Sequence, residues 1–78
     1  MNLLWDPATT PVELHTLLTT LGEEYPVKAS DGKSNIAFKL LEGEENQLKV
    51  SRQKETWLVE YTRPTLAARG LAYALSNQ

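Results

Sequence analysis

Residues 47–76 read QLKVSRQKETWLVEYTRPTLAARGLAYALS, and three periodicities follow one another there with almost no spare residues. Leu48 and Val50 alternate with polar neighbours. After the polar turn Arg52-Gln53-Lys54-Glu55, Trp57, Val59 and Tyr61 alternate again. Pro64 then opens a helical pattern running to about Leu75. The stretch predicts strand, turn, strand, helix, and such a unit must bury the apolar face of a small sheet under helices.

The segment before Gln47 supplies the rest of that sheet and a second helix. Asn2 to Trp5 is short and apolar and is stopped by Asp6-Pro7, which predicts a brief edge strand or an arm on the core. Burying Trp5 is worth roughly 2 to 3 kcal/mol. Thr10-Pro11-Val12-Glu13 has the form of a capping box, with Thr10 at N-cap, Pro11 at N1 and Glu13 at N3. Leu14, Leu17, Leu18 and Leu21 follow as one apolar stripe, and Gly22 stands where a left-handed C-terminal cap is expected. Tyr25-Pro26-Val27 predicts a short extended segment, residues 29–35 a polar loop, and Ile36, Phe38 and Leu40 a half-buried strand. Glu42-Gly43-Glu44-Glu45-Asn46 turns the chain into the Leu48 strand. The expected fold is α+β: a two-layer sandwich with a small, mainly antiparallel sheet, a meander of three or four strands, and two helices on one face.

Composition narrows the function classes. The chain has 78 residues, 41% of them hydrophobic and 23% charged, which suits one α+β domain over residues 1–78. There is no cysteine, so neither disulfides nor thiolate metal ligands assist the core. A net charge of -2 gives no overall nucleic-acid or anionic-membrane footprint. No apolar run reaches the ~18 residues of a membrane span, and the first residues lack the pattern of a signal peptide.

Candidate chemistry is sparse. His15 is the single histidine, about 100° from the centre of the leucine stripe, where it reads as a solvated flank position. It has no cysteine to pair with, and Ser30, Ser34 and Ser51 lack nucleophile-elbow context. Glu42, Glu44 and Glu45 offer oxygen ligands without the spacing of a calcium loop and read as a solvated turn. Asp31-Gly32-Lys33-Ser34 carries one glycine and no strand-loop-helix context, unlike a phosphate loop. Lys49, Arg52, Lys54, Arg63 and Arg69 interleave with Trp57 and Tyr61, a pattern that serves single-stranded nucleic acid when the aromatics are exposed. Parity puts Trp57, Val59 and Tyr61 together on the face beneath the helices, so a nucleic-acid partner is not expected.

From Leu48 to Leu75 the chain resembles a known family. The strand Trp57-Leu58-Val59-Glu60-Tyr61, a short link, and the helix containing Arg69-Gly70-Leu71 and Leu75 resemble the N-terminal non-catalytic domain that precedes the barrel in β-N-acetylhexosaminidases and related glycoside hydrolases. Glu24-Tyr25-Pro26 after a leucine-rich helix is compatible with the same domain. The family's catalytic Asp-Glu pair belongs to the barrel, so nothing catalytic carries over. The resemblance implies an accessory domain, cut from a larger secreted or periplasmic protein, that stabilises or orients a catalytic neighbour. No cofactor or metal, a monomer, and no membrane or nucleic-acid partner are expected. The alternative is a free-standing protein-interaction or regulatory module. Arg69, Gly70, Tyr73 and Trp5 are the expected docking residues in either case.

Deleting the chain from Pro64 onward is expected to abolish cooperative folding, because Trp57, Val59 and Tyr61 would lose their cover. A cooperative thermal melt of the truncated chain would contradict the two-layer arrangement.

Overall fold

The computed structural model describes residues 2–78; Met1 lies outside them. Its elements are β1 (Leu3–Trp5), α1 (His15–Leu21) preceded by a 3-10 turn (Val12–Leu14), β2 (Val27–Ala29), β3 (Ile36–Leu40), β4 (Leu48–Gln53), β5 (Thr56–Tyr61) and α2 (Pro64–Ser76). The α+β class and the order β-α-β-β-β-β-α stand as expected.

Strand order differs from the meander. β4 and β5 form the expected antiparallel hairpin, with Gln53 opposite Thr56 and Leu48 opposite Tyr61. Its turn is the pair Lys54-Glu55, and Lys54 has a positive φ of 58°. β3 lies on the far side of β5 and runs parallel to it, from Ile36 opposite Trp57 to Leu40 opposite Tyr61. The cause is the length and composition of segment 41–47, which contains no two-residue turn. It crosses the end of β5 instead, spanning two strand spacings of about 4.8 Å each. Leu41 N donates to Tyr61 O (2.7 Å) and Thr62 N to Gln47 O (3.1 Å), so the crossing is tied to the strand it passes.

β1 and β2 pair in parallel, with Leu3 opposite Val27 and Trp5 opposite Ala29. Parallel neighbours need a crossover, and α1 supplies it. β1 is the brief strand expected, with β2 as its strand partner. Its other side is joined to the main sheet by Asn35, whose Oδ1 accepts from Leu4 N, whose N donates to Leu4 O (2.9 Å), and whose carbonyl accepts from Trp57 N (2.8 Å). A residue that reads as loop thus stitches the two sheets together.

Both helices lie on one face, over a single core of Leu3, Trp5, Leu14, Leu18, Val27, Ile36, Phe38, Trp57, Val59, Tyr61, Ala67, Leu71 and Ala74. Three local expectations fail for tertiary reasons. The capping box does not form: no side chain caps the 3-10 turn, and the Glu13 carboxylate accepts the Tyr61 hydroxyl instead (2.9 Å). Gly22 is right-handed (φ -66°), and its role is close approach, since a Cβ there would meet Val27 O at 2.6 Å. His15 is half-buried rather than solvated; its ring lies 5.2 Å from that of Trp5 and its Nε2 stands 3.0 Å from Thr10 O.

The small residues of α2 let it sit close to the sheet. A Cβ on Gly70 would meet Val59 Cγ1 at 2.6 Å and Leu48 Cδ1 at 3.2 Å. Gly70→Ala gains helix propensity of about 0.8 to 1.0 kcal/mol, yet overpacking against fully buried, β-branched Val59 costs about 1 to 3 kcal/mol. Urea unfolding is expected to show a net loss of stability for Gly70→Ala and a larger one for Gly70→Leu. A gain in either would mean that α2 does not rest on Val59.

Candidate functional site

The flanks of α2 differ. Ala67, Gly70, Leu71 and Ala74 face the sheet. Ala68, Ala72 and Leu75 turn toward α1, where with Leu21, Tyr25 and Leu71 they line an apolar cleft of about 260 Å³. Leu66 and Tyr73 occupy the opposite flank by helical geometry, above β4, with Arg69 next to them toward the solvent side of the helix. Tyr73 is 54% exposed and meets the Trp57 ring edge-on at 6.0 Å.

Beneath that flank runs the outer edge of β4, which among the described residues pairs with β5 alone. Leu48 is 37% exposed there, although it faces the helix side. Arg52 stacks its guanidinium 5.1 Å from the Trp57 centroid, donates through Nε to Lys54 O (3.1 Å) and reaches Asn77 O (3.5 Å). Lys49 lies on the opposite, helix-free face of the sheet and is exposed. Strand edge, apolar side chains and cations therefore converge in one place.

The four expected docking residues separate into two pairs. Arg69 and Tyr73 are exposed on this flank, whereas Gly70 and Trp5 are buried and are withdrawn as docking residues. Gly70 is pressed against Val59. Trp5 is 3% exposed beneath α1, with its indole N–H buried without an acceptor. Leu48 and Leu66 read from the sequence as core, and Arg52 only as one of the basic series beside Trp57 and Tyr61. Alternation marks Leu48 as core, and only strand order reveals that it ends on an open edge.

The remaining candidates are scattered. Glu42, Glu44 and Glu45 lie in the crossing over β5, where Arg63 donates to Glu44 O (3.3 Å). Residues 31–34 are exposed and lead into Asn35 and β3, not a helix. No cluster of three or more His, Cys, Asp or Glu among the described residues is placed to hold a metal ion. No described helix is long and apolar enough to cross a membrane. Trp57 and Tyr61 are buried on the helix side, as parity requires. The helix-free face of β3, β4 and β5 presents Ala37, Lys39, Lys49, Ser51, Leu58 and Glu60, with no aromatic platform. No family model matches this chain, and no curated protein or solved structure is significantly similar to it.

One titration is displaced. Burial first, then the hydrogen bond to Glu13 and the charge of that carboxylate, push the Tyr61 hydroxyl well above the ordinary phenol value. The neutral phenol is favoured in the fold, so its contribution is fully present below the unfolded value near 10 and is lost as pH rises beyond it. Tyr61→Phe is expected to cost about 1 kcal/mol at pH 7, since the exposed Glu13 regains water. It should also flatten the alkaline decline in stability. Urea midpoints at pH 7 and pH 11 check this, and the same alkaline drop in both proteins would remove Tyr61 as its source.

Proposed function

We propose that this chain is a non-catalytic docking module that holds a neighbouring protein domain against the β4 edge and the exposed flank of α2. The observation that carries the reading is the coincidence of a strand edge unpaired among the described residues with exposed Leu48, Arg52 and Tyr73 on its helix side and Lys49 on its other side. Exposed apolar groups rimmed by charge are the usual composition of a docking patch. The only histidine is engaged with Thr10 and Trp5, so the described side chains offer no convergent acid, base and nucleophile.

The resemblance of residues 48–75 to the hexosaminidase accessory domain gives the neighbour a chemistry: the catalytic barrel of a carbohydrate-active glycoside hydrolase, which this module would stabilise or orient. Within that run Gly70 and Leu71 pack inward while Arg69 and Tyr73 face outward, so one short helix can bind its own sheet and a neighbour together. The same patch on a free-standing regulatory module is the second reading. Direct sugar binding is less supported, because exposed Tyr25 and Tyr73 lie on different sides of α2 and form no row.

The test is photo-crosslinking in cells that express the native gene, with p-benzoylphenylalanine at position 73 and, as a control, at exposed Lys33. The expected result is a discrete adduct from position 73 alone. If its mass spectrum assigns it to a glycosidase barrel, the accessory reading holds; assignment to another protein selects the regulatory one. Equal adducts from both positions, or none, would overturn docking through this patch.

A further inference from the structure

We propose that the occupant of the β4 edge is an acidic, extended segment of the partner that adds to the sheet as a further strand. This rests on the docking reading and gives it a ligand class. Backbone pairing identifies the open groups. Gln53 and Thr56 close the two-residue turn, and Thr62 N donates to Gln47 O (3.1 Å), so odd-numbered β4 residues exchange their bonds with β5. The N–H and C=O of Leu48, Val50 and Arg52 consequently point away from the sheet. No other described hydrogen bond uses them. They form a ready template for strand addition.

The other outer strands are poorer templates: β2, in the two-stranded sheet, has three residues and follows Pro26, and β3, at the far edge of the sheet that holds β4, is met at its start by β1 through Asn35, whereas β4 has six residues and contains no proline.

Charge selects the partner. β4 and its turn carry Lys49, Arg52 and Lys54, with Arg69 on the helix rim above. Antiparallel addition of a second copy about Val50 would set Lys49 opposite Ser51, Arg52 opposite Leu48 and Lys54 opposite Asn46, so a like strand offers no carboxylate opposite Lys49 or Arg52. An acidic strand supplies one. Glu44 and Glu45 precede Leu48, and Glu55 sits in the turn beside Lys54; Glu60 faces Lys49 from β5. The net cationic stretch is thus Lys49 to Lys54, and the partner's carboxylates belong opposite it, with neutral residues beside Leu48.

Alternation completes the description. Side chains of the added strand on the helix side meet Leu48, Leu66 and Tyr73 and, toward the turn, Arg52; those on the other side meet Lys49, Ser51 and Gln53. The fitting segment therefore alternates apolar residues on the helix side with acidic residues on the Lys49 side, and a further carboxylate near the turn meets Arg52. Arg52 is already held by Trp57 and the Asn77 carbonyl, so it loses little freedom on binding.

The probe is a fluorescein-labelled eight-residue peptide alternating Val with Glu, titrated into the full chain and followed by anisotropy and amide NMR. Controls are a Val/Lys peptide and two versions N-methylated at alternate residues in opposite phase. The expected result is saturable binding of the acidic peptide, slowed exchange at Leu48, Val50 and Arg52, and loss of binding in only one methylated phase. Lys49→Glu or Arg69→Glu should weaken it on the order of tenfold. Equal binding of the Val/Lys peptide, indifference to N-methylation in both phases, shifts confined to the α1–α2 cleft, or no binding at millimolar peptide would each overturn strand addition. If the position-73 adduct persists in that event, docking stands without it; if the adduct is also missing, both readings fall.

Discussion

β5 is hydrogen-bonded along both edges, and the rest of the structure depends on that. It pairs with β3 on one side and β4 on the other, while its inward face presents Trp57, Val59 and Tyr61 to the helices. A six-residue strand in this position shields its backbone on both sides and its larger side chains on one face. Every other element then has an assigned place. α2 packs on β5 and β4, segment 41–47 bridges the strand's end, and the β1–β2 pair is attached through Asn35, which also accepts from Trp57 N. Loss of β5 would leave β3 and β4 without a common partner.

Much of this is legible in the residues and some of it is not, for a consistent physical reason. Alternation at Trp57, Val59 and Tyr61 and the Pro64 helix start are local properties, and they are realised where the pattern places them. Strand order is set by a competition among distant edges. Ile36 to Leu40 has the same alternation whether it meets β4 or β5, so its parallel pairing with β5 leaves no mark in its own residues. Glu13 illustrates the same limit in a side chain. Its spacing from Thr10 suits a capping box, but a buried hydroxyl 48 positions away needs an acceptor and obtains it.

The candidate site was half legible. Arg69 and Tyr73 stand on a helix face that the sequence marks as polar and aromatic, and both are exposed. Gly70 shares their run yet serves the opposite function, because absence of a side chain is what brings α2 down onto Val59. Trp5 was ambiguous by nature: a large aromatic next to a short strand can cover a core or present itself. The crossover helix between β1 and β2 closes over it and decides for the core.

Close packing of α2 and the openness of β4 meet at one boundary. The small inward face of the helix lowers it over β4 and β5, where a Cβ on Gly70 would meet Val59 and Leu48, while the outer backbone of β4 is open because β5 is its strand partner among the described residues. A bulkier helix would stand higher and cover less of β5; one displaced outward would cap the edge. The overall charge of -2 conceals the result, because most acidic residues lie in turns and loops while Lys49 and Arg52 stand on the open strand and Lys54 in the turn that follows it. A net charge averages over surfaces that no single partner touches at once. Recognition depends on the local field along one edge, and there the sign is reversed.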